Sequence, residues 1–118
     1  MTKGDFGKVT LALTRRGRMR GLLGKQAFDG VLVLAPCNDV HTFGMLMSID
    51  VAFVDKHGLV TRSDRDVGPG RRLRCKKAVA VLERQANGAA PWPDIGERAE
   101  IGFVSQGEPE TCNRKEES

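Results

Sequence analysis

The chain has 118 residues, of which 40% are hydrophobic and 29% are charged. This length suffices for one buried core and not for two, and the composition excludes a disordered chain. The formal net charge is +4, and the last 14 residues, from Ser105 to Ser118, are acidic, so the part before them carries +6. A charge of this size bears on solubility and non-specific attraction, and it does not by itself indicate a function.

Neither a membrane-spanning stretch nor the apolar core of a signal peptide stands out in the sequence. The cysteines Cys37, Cys75 and Cys112 are odd in number and widely spaced. Such a set favours neither a disulfide framework nor a CxxC metal or redox motif. Reduced thiols and the lack of a leader predict a cytoplasmic protein without a transmembrane segment.

The N-terminal third of the chain predicts two strands with a turn between them. Alternation over residues 8–14 predicts a strand with Val9, Leu11 and Leu13 on its buried side. Residues 15–24 contain three glycines and four arginines, which indicates a turn or a short helix. The continuous apolar run at residues 31–35 is typical of a strand that is buried on both faces.

The middle of the chain predicts a β-hairpin. Residues 47–54 alternate as a strand, with Ile49 on one face and Asp50 on the other. Residues 55–58 are predicted as the turn, because Gly58 can take a positive φ, and residues 59–62 as the return strand.

The remaining segments complete the prediction of a single domain over residues 1–104. We expect an exposed loop at 63–74, an inner strand at 78–82, a last strand at 99–104 and a disordered polar tail at 105–118. The predicted fold is mainly β, a small β-sandwich or partly open barrel of jelly-roll character with at most one or two short helices.

Four segments, residues 18–25, 36–45, 49–55 and 58–60, match one known family in order and spacing. In these segments the chain resembles the domain of unknown function 192, and the resemblance extends over roughly residues 8–104. It implies a compact β-sandwich of jelly-roll character and no catalytic residue. Relatives with the Cys-Asn-x-Val-His-Thr-Phe pattern of residues 37–43 occur near pilus-assembly or secretion genes, which implies a protein partner such as that machinery.

The candidate site consists of Cys37, His41, Ser48 and Asp50, with Arg20 as a further member. Cys37 and His41 stand four residues apart in an irregular stretch between strands, where binding groups often lie. Asp50 is placed in mid-strand, and a buried carboxylate there needs a donor, for which Arg20 and His41 are the expected partners.

Four interpretations of this cluster stay open. It can be a small polar ligand pocket, a half-complete transition-metal site, or a cysteine nucleophile with a histidine base. In the fourth, Asp50 pairs with backbone N–H groups or with Arg20, His41 pins a loop, and Cys37 is a small buried hydrophobe. The structural interpretation is the commonest outcome for such groups, and a ligand pocket comes second.

Two basic clusters, residues 15–20 and 71–77, lack the interleaved aromatic residues of single-strand nucleic-acid sites. We therefore expect a solvated basic face or a protein contact, and not nucleic-acid binding. Trp92, between two prolines, is interpreted as a plug over an open sheet edge in preference to an exposed contact anchor.

The sequence thus predicts a non-enzymatic binding or accessory module with a small polar pocket and no cofactor. The alternative is an enzyme of unknown reaction that uses Cys37, His41 and Asp50, with or without a metal.

Overall fold

A computed structural model describes residues 8–99, except for the side chains of residues 18–20. Its elements are β1 (Val9–Ala12), α1 (Arg15–Arg20), β2 (Val31–Leu34), β3 (Asp39–His41), β4 (Ile49–Val54), β5 (Val60–Val67), β6 (Arg72–Arg74) and β7 (Ala80–Gln85). Over this range the strands form two sheets and no closed barrel, and α1 is the single helix. The predicted mainly β class with a short helix is confirmed.

The larger sheet has five strands in the order β1-β2-β7-β4-β5. β1 runs parallel to β2, and the other neighbours are antiparallel. β3 and β6 form a separate two-stranded antiparallel sheet. The predicted hairpin is confirmed, because β4 and β5 pair across a turn in which the Gly58 amide donates to the Asp55 carbonyl at 3.0 Å and Gly58 has a φ of 82°.

The inner strands of the larger sheet are buried on both faces, so alternate residues enter two different clusters. On β4, Ile49, Val51 and Phe53 belong to the first cluster, and Ala52 and Val54 belong to the second. The first cluster continues into the small sheet through Val40 and Leu73, which are both buried, and into Leu22 after α1. The small sheet and the segment after α1 therefore cover one face of the larger sheet.

The second face is covered by the segment that carries Trp92. This side chain is only 5% exposed, and its Nε1 donates to the Val51 carbonyl at 3.3 Å. The Arg84 guanidinium lies 4.6 Å from the centre of the indole ring. Burial agrees with the plug interpretation, although Trp92 covers a sheet face and not a sheet edge.

The prediction of a buried apolar side on β1 is wrong. Val9, Leu11 and Leu13 are 48%, 61% and 58% exposed, whereas Thr10 and Ala12 are half-buried. β1 is an edge strand, and its pairing with β2 turns the threonine and the alanine toward the covered face of the sheet. The alternation correctly predicts a strand, but the inward face is the other one.

The predicted loop at residues 63–74 is mostly strand. β5 continues to Val67 and β6 begins at Arg72. Polar side chains of β5 are satisfied inside the fold, and the Ser63 hydroxyl donates to the Pro93 carbonyl at 2.8 Å. Arg62 is buried, and its guanidinium donates to Asp64 Oδ2 at 2.7 Å and to the Arg74 carbonyl at 3.0 Å.

Likewise the inner strand predicted at residues 78–82 lies at 80–85, as β7. Of the strand predicted at residues 99–104, only Ala99 is described, and the predicted tail lies outside the described residues. Jelly-roll topology stays a prediction.

Gly30 should tolerate no side chain. Both Gly30 and Gly24 have a positive φ, 80° and 77°, but a Cβ at Gly30 would lie 2.1 Å from the Lys8 carbonyl oxygen, and a Cβ at Gly24 would meet nothing within 4 Å. We expect Gly24→Ala to lower the free energy of unfolding by about 1 kcal/mol through backbone strain alone, and Gly30→Ala to lower it by several times more. Urea denaturation of both variants tests this, and equal losses would contradict the close approach of Gly30 to Lys8.

Candidate functional site

A cleft of about 600 Å³ opens between the segment after α1, strand β3 and the face of the larger sheet that carries the first cluster. Much of its wall is apolar, formed by Leu22, Leu23, Leu34, Val40 and Met45. Binding sites for small molecules are usually concave and largely apolar, with a few polar groups that fix the ligand. The polar groups of this cleft therefore decide what it can bind.

Glu83 is the most deeply buried of these polar groups. It lies on β7 opposite Leu32 of β2 and Val51 of β4, and its side chain is 3% exposed. These cross-strand neighbours place it on the face of the first cluster, beneath the cleft. Its Oε1 approaches Gly21, where a Cβ would lie 3.1 Å from it, so the glycine leaves room for the carboxyl.

The Glu83 carboxyl has no hydrogen-bond or ion-pair partner among residues 8–99, the side chains of 18–20 aside. Desolvation by burial raises the pKa of Glu83 from 4.5 to about 7. A buried polar group without a partner costs about 1–3 kcal/mol, so such a group in a cleft calls for an explanation.

The mouth of the cleft carries His41, Phe43 and Cys37. The rings of His41 and Phe43 lie 5.5 Å apart, and both side chains are exposed. Cys37 carries a half-buried thiol whose Sγ lies 3.5 Å from the Asp39 carbonyl oxygen. In the described part of the chain, the His41 imidazole makes no hydrogen bond, so no hydrogen bond joins it to Cys37.

A surface ion pair stands beside them. Arg72 of β6 donates through Nε and Nη2 to the two carboxylate oxygens of Asp39 on β3, at 3.1 and 2.5 Å. The hydrogen bond that Arg72 donates to Asp39, together with the negative charge of that carboxylate, raises the pKa of Arg72. In the small sheet Asp39 lies opposite Arg74 and Arg72 lies opposite His41, so this diagonal pair ties β3 to β6 at the rim.

Asp50 lies on the opposite face of the larger sheet from the cleft. It is 1% exposed, and Arg84 directly opposite on β7 donates to its Oδ2 at 2.8 Å. A β-bulge puts Arg65 and Asp66 across from it on β5; the Asp66 amide donates to Oδ1 at 3.0 Å, and Arg65 Nη2 lies 3.6 Å from Oδ2. Asp50 thus pairs with Arg84 and Arg65; of the two expected partners, His41 lies in the cleft and the side chain of Arg20 lies outside the described part.

The predicted cluster is therefore divided. Cys37 and His41 share the cleft, whereas Asp50 is separated from them by the sheet. Ser48 is half-buried outside the cleft lining, with its carbonyl accepting from the Ala86 amide at 3.0 Å. Arg20 belongs to α1, and its side chain lies outside the described part.

Sequence reasoning missed Glu83. The alternation of residues along the predicted inner strand could have revealed it. An inner strand extended by one residue would have placed Val81 and Glu83 on the same face, with a carboxyl next to an apolar core.

The cysteines differ in their redox state. Cys37 is a reduced thiol, as predicted, but Cys75 is disulfide-bonded, which is at odds with the expectation of reduced thiols. Cys112 lies outside the described residues.

Two features are absent from the described residues. No three His, Cys, Asp or Glu side chains there are grouped so as to hold a metal ion. None of the helical structure described is long and apolar enough to cross a membrane.

Comparison with known proteins gives a family and a fold. The model of the domain of unknown function 192, described as "Uncharacterized ACR", matches residues 2–98. No curated protein matches the sequence. A structure from Sinorhizobium meliloti 1021, proposed as a transcription regulator, has a TM-score of 0.59 at 17% identity, covering 66% of this chain and 67% of that chain. A protein of unknown function from Novosphingobium aromaticivorans DSM 12444 has a TM-score of 0.61 at 19% identity, covering 69% and 64%. At these identities the likeness shows the fold alone.

Substitution of His41 and of Asp50 should separate the cleft from the structural pair. His41→Ala is expected to change the free energy of unfolding by less than about 0.5 kcal/mol, because the ring is exposed and makes no hydrogen bond in the described part. Asp50→Ala should cost about 3–5 kcal/mol, because it leaves the half-buried Arg84 guanidinium without its counter-ion. Chemical denaturation checks both, and a loss of about 1–3 kcal/mol in His41→Ala would instead support a structural role for that histidine.

Glu83 should make stability depend on pH. Between pH 4.5 and about 7 the unfolded chain ionises this carboxyl while the folded chain keeps it protonated. The free energy of unfolding should therefore fall as the pH rises through this window, by about 3 kcal/mol, and level off above it. Glu83→Gln removes this contribution. The free energy of unfolding of the variant should therefore increase relative to that of the wild type as the pH rises from 4.5 to about 7. A difference between the two proteins that stays constant with pH would contradict the burial of the ionisable group.

Proposed function

We propose a function from the site itself, since the chain belongs to the domain of unknown function 192 family, which has no established activity. The function that the geometry supports best is that of a binding module with the cleft above Glu83 as its ligand site. The observation that carries this proposal is a carboxyl only 3% exposed that no described side chain satisfies, at the base of an apolar-walled cleft. A ligand that hydrogen bonds there would recover the desolvation cost.

This proposal moves the predicted pocket. Cys37 and His41 remain at its mouth, Glu83 takes the central place that Asp50 had in the prediction, and Ser48 and Asp50 leave it. Arg20 stays a predicted member.

The enzyme alternative has weaker support. A cysteine nucleophile needs a base within hydrogen-bond reach and a third group that orients the base. His41 makes no hydrogen bond to Cys37 in the described part, and Asp50 is held by Arg84 on the other face. Of the three groups that the enzyme alternative requires, Cys37 and His41 share the cleft and Asp50 does not.

An accessory role with a protein partner, such as pilus or secretion machinery, is compatible with a binding module and stays a prediction. So does the absence of nucleic-acid binding. The cytoplasmic location also stays a prediction.

The binding module is tested by a fragment screen followed in amide NMR spectra of the labelled protein. The library should contain amines, guanidines, alcohols, amides, carboxylates and phosphates, so that it presumes no ligand class. We expect shift changes to concentrate at Gly21, Leu22, Cys37, Val40 and His41, which line the cleft.

Two tryptophan variants make this test specific. Leu23 is half-buried in the cleft wall, so Leu23→Trp should block the cleft and abolish the shifts. Leu46 is 59% exposed outside the lining, so Leu46→Trp should leave them unchanged. Hits scattered over the surface, or hits that survive Leu23→Trp, would overturn the proposed function.

A further inference from the structure

We propose that the cleft binds a monovalent organic cation, an ammonium or guanidinium group on an apolar stem, with the Glu83 carboxylate as its counter-ion. This inference rests on the proposed function, that the cleft is a ligand site, and adds the chemical class of the ligand. Neither the family nor the similar structures supply it.

The hydrogen-bonding capacity of Glu83 is the first reason. An ionised carboxylate only accepts, with about four lone-pair sites, and no described group occupies any of them. A ligand must therefore bring donors, and an ammonium offers three while a guanidinium offers five. Charge-assisted hydrogen bonds of this kind are roughly twice as strong as neutral ones.

The surrounding charges are the second reason. The strands packed against β7 turn only apolar neighbours toward Glu83, namely Leu32 and Leu34 of β2 and Val51 of β4. The charged or titratable groups that line the same cleft are Arg15 of α1, Cys37, Asp39 and His41 near β3, and Arg72 of β6.

Of these groups, Asp39 and Arg72 neutralise each other at the rim, and Arg15 is exposed on α1. Glu83 is therefore the only charged group at the base of the cleft among the described side chains. An anion at the base of the cleft would be repelled by the Glu83 carboxylate. A cation there would be attracted to it, and the attraction is strong because little water is present to screen it.

The walls and the mouth are the third reason, because they fit an organic cation and not a metal ion. Calcium and magnesium take about six or more oxygen ligands, and no group of three candidate ligand side chains exists in the described part. Apolar walls instead suit a hydrocarbon stem, and the exposed Phe43 ring at the mouth offers a face on which a cation can rest.

The test is a titration of the full chain with n-butylguanidinium, whose charge is constant over the working pH range, at pH 5 and pH 8.5. Glu83 is roughly 1% ionised at the lower pH and almost fully ionised at the higher, if its pKa is about 7. Because only the ionised form pairs with the cation, we expect binding about a hundredfold tighter at pH 8.5. The resonance of the Glu83 carboxyl, followed in the same samples, should show a free-protein pKa well above 4.5 that falls when the ligand binds.

Controls assign the pH dependence to Glu83. Glu83→Gln keeps the shape of the side chain and should lose both the tight binding and its pH dependence. His41→Gln removes the imidazole from the cleft and Cys37→Ser removes the thiol, and both variants should keep the pH dependence. Unchanged binding in Glu83→Gln would overturn the proposal, because the carboxylate would then not contribute to binding. A pKa of Glu83 at or below 4.5 in the free protein would also overturn it, because the carboxylate would then be stable without a ligand cation.

A neutral isostere distinguishes the failure of this inference from the failure of the proposed function. If n-butylurea shifts the cleft amides at least as strongly as n-butylguanidinium does at pH 8.5, the cation is wrong but the ligand cleft stands. If neither probe nor any library fragment shifts them, the proposed function itself fails.

The cation could come from a free amine or from a lysine or arginine side chain of a partner protein. A blocked tripeptide with a central arginine separates these sources. Binding at least tenfold tighter than that of n-butylguanidinium supports the proposal with a protein side chain as the ligand. Equal or weaker peptide binding supports it with a free amine.

Discussion

The position of β7 between β2 and β4 governs which interior each buried side chain of these strands enters. Because all three strands are covered on both faces, each residue along them enters one of two separate interiors. A change of one position in register would exchange the two sets completely. Glu83 and Arg84 are neighbours in the chain, yet this constraint sends one to the cleft and the other to Asp50.

The two buried acids of the sheet show how differently a protein can treat the same chemical group. Asp50 receives Arg84, Arg65 and backbone N–H groups, so its charge is compensated within the fold. Glu83 receives none of these in the described part, and burial alone moves its pKa toward neutrality. Compensation is typical of a group that holds a structure together, and an uncompensated acid at the base of a cleft is typical of a functional site.

The strands on which sequence reasoning succeeded are those with their own local signal. The hairpin at residues 55–58 has a glycine where the turn needs a positive φ, and the run at 31–35 is apolar without interruption. Reasoning failed where the partner decides: β1 has a clean alternation, but which side faces inward depends on β2 and on what covers the sheet. The prediction of a loop where β5 continues was wrong for a related reason, because Ser63 and Arg65 are polar in sequence but are satisfied in the fold by backbone carbonyl groups of residues 87–93.

The residues alone predict the mainly β class, the hairpin and the family resemblance, whereas His41, expected in an irregular stretch, lies at the end of strand β3. These predictions follow from short-range patterns, which are set by the residues themselves. The pairing of Asp50 with Arg84 and the position of Glu83 in the cleft depend on how distant strands pack. A charged side chain takes its role from the partners that reach it, and the partners of Asp50 are at least 15 residues away along the chain.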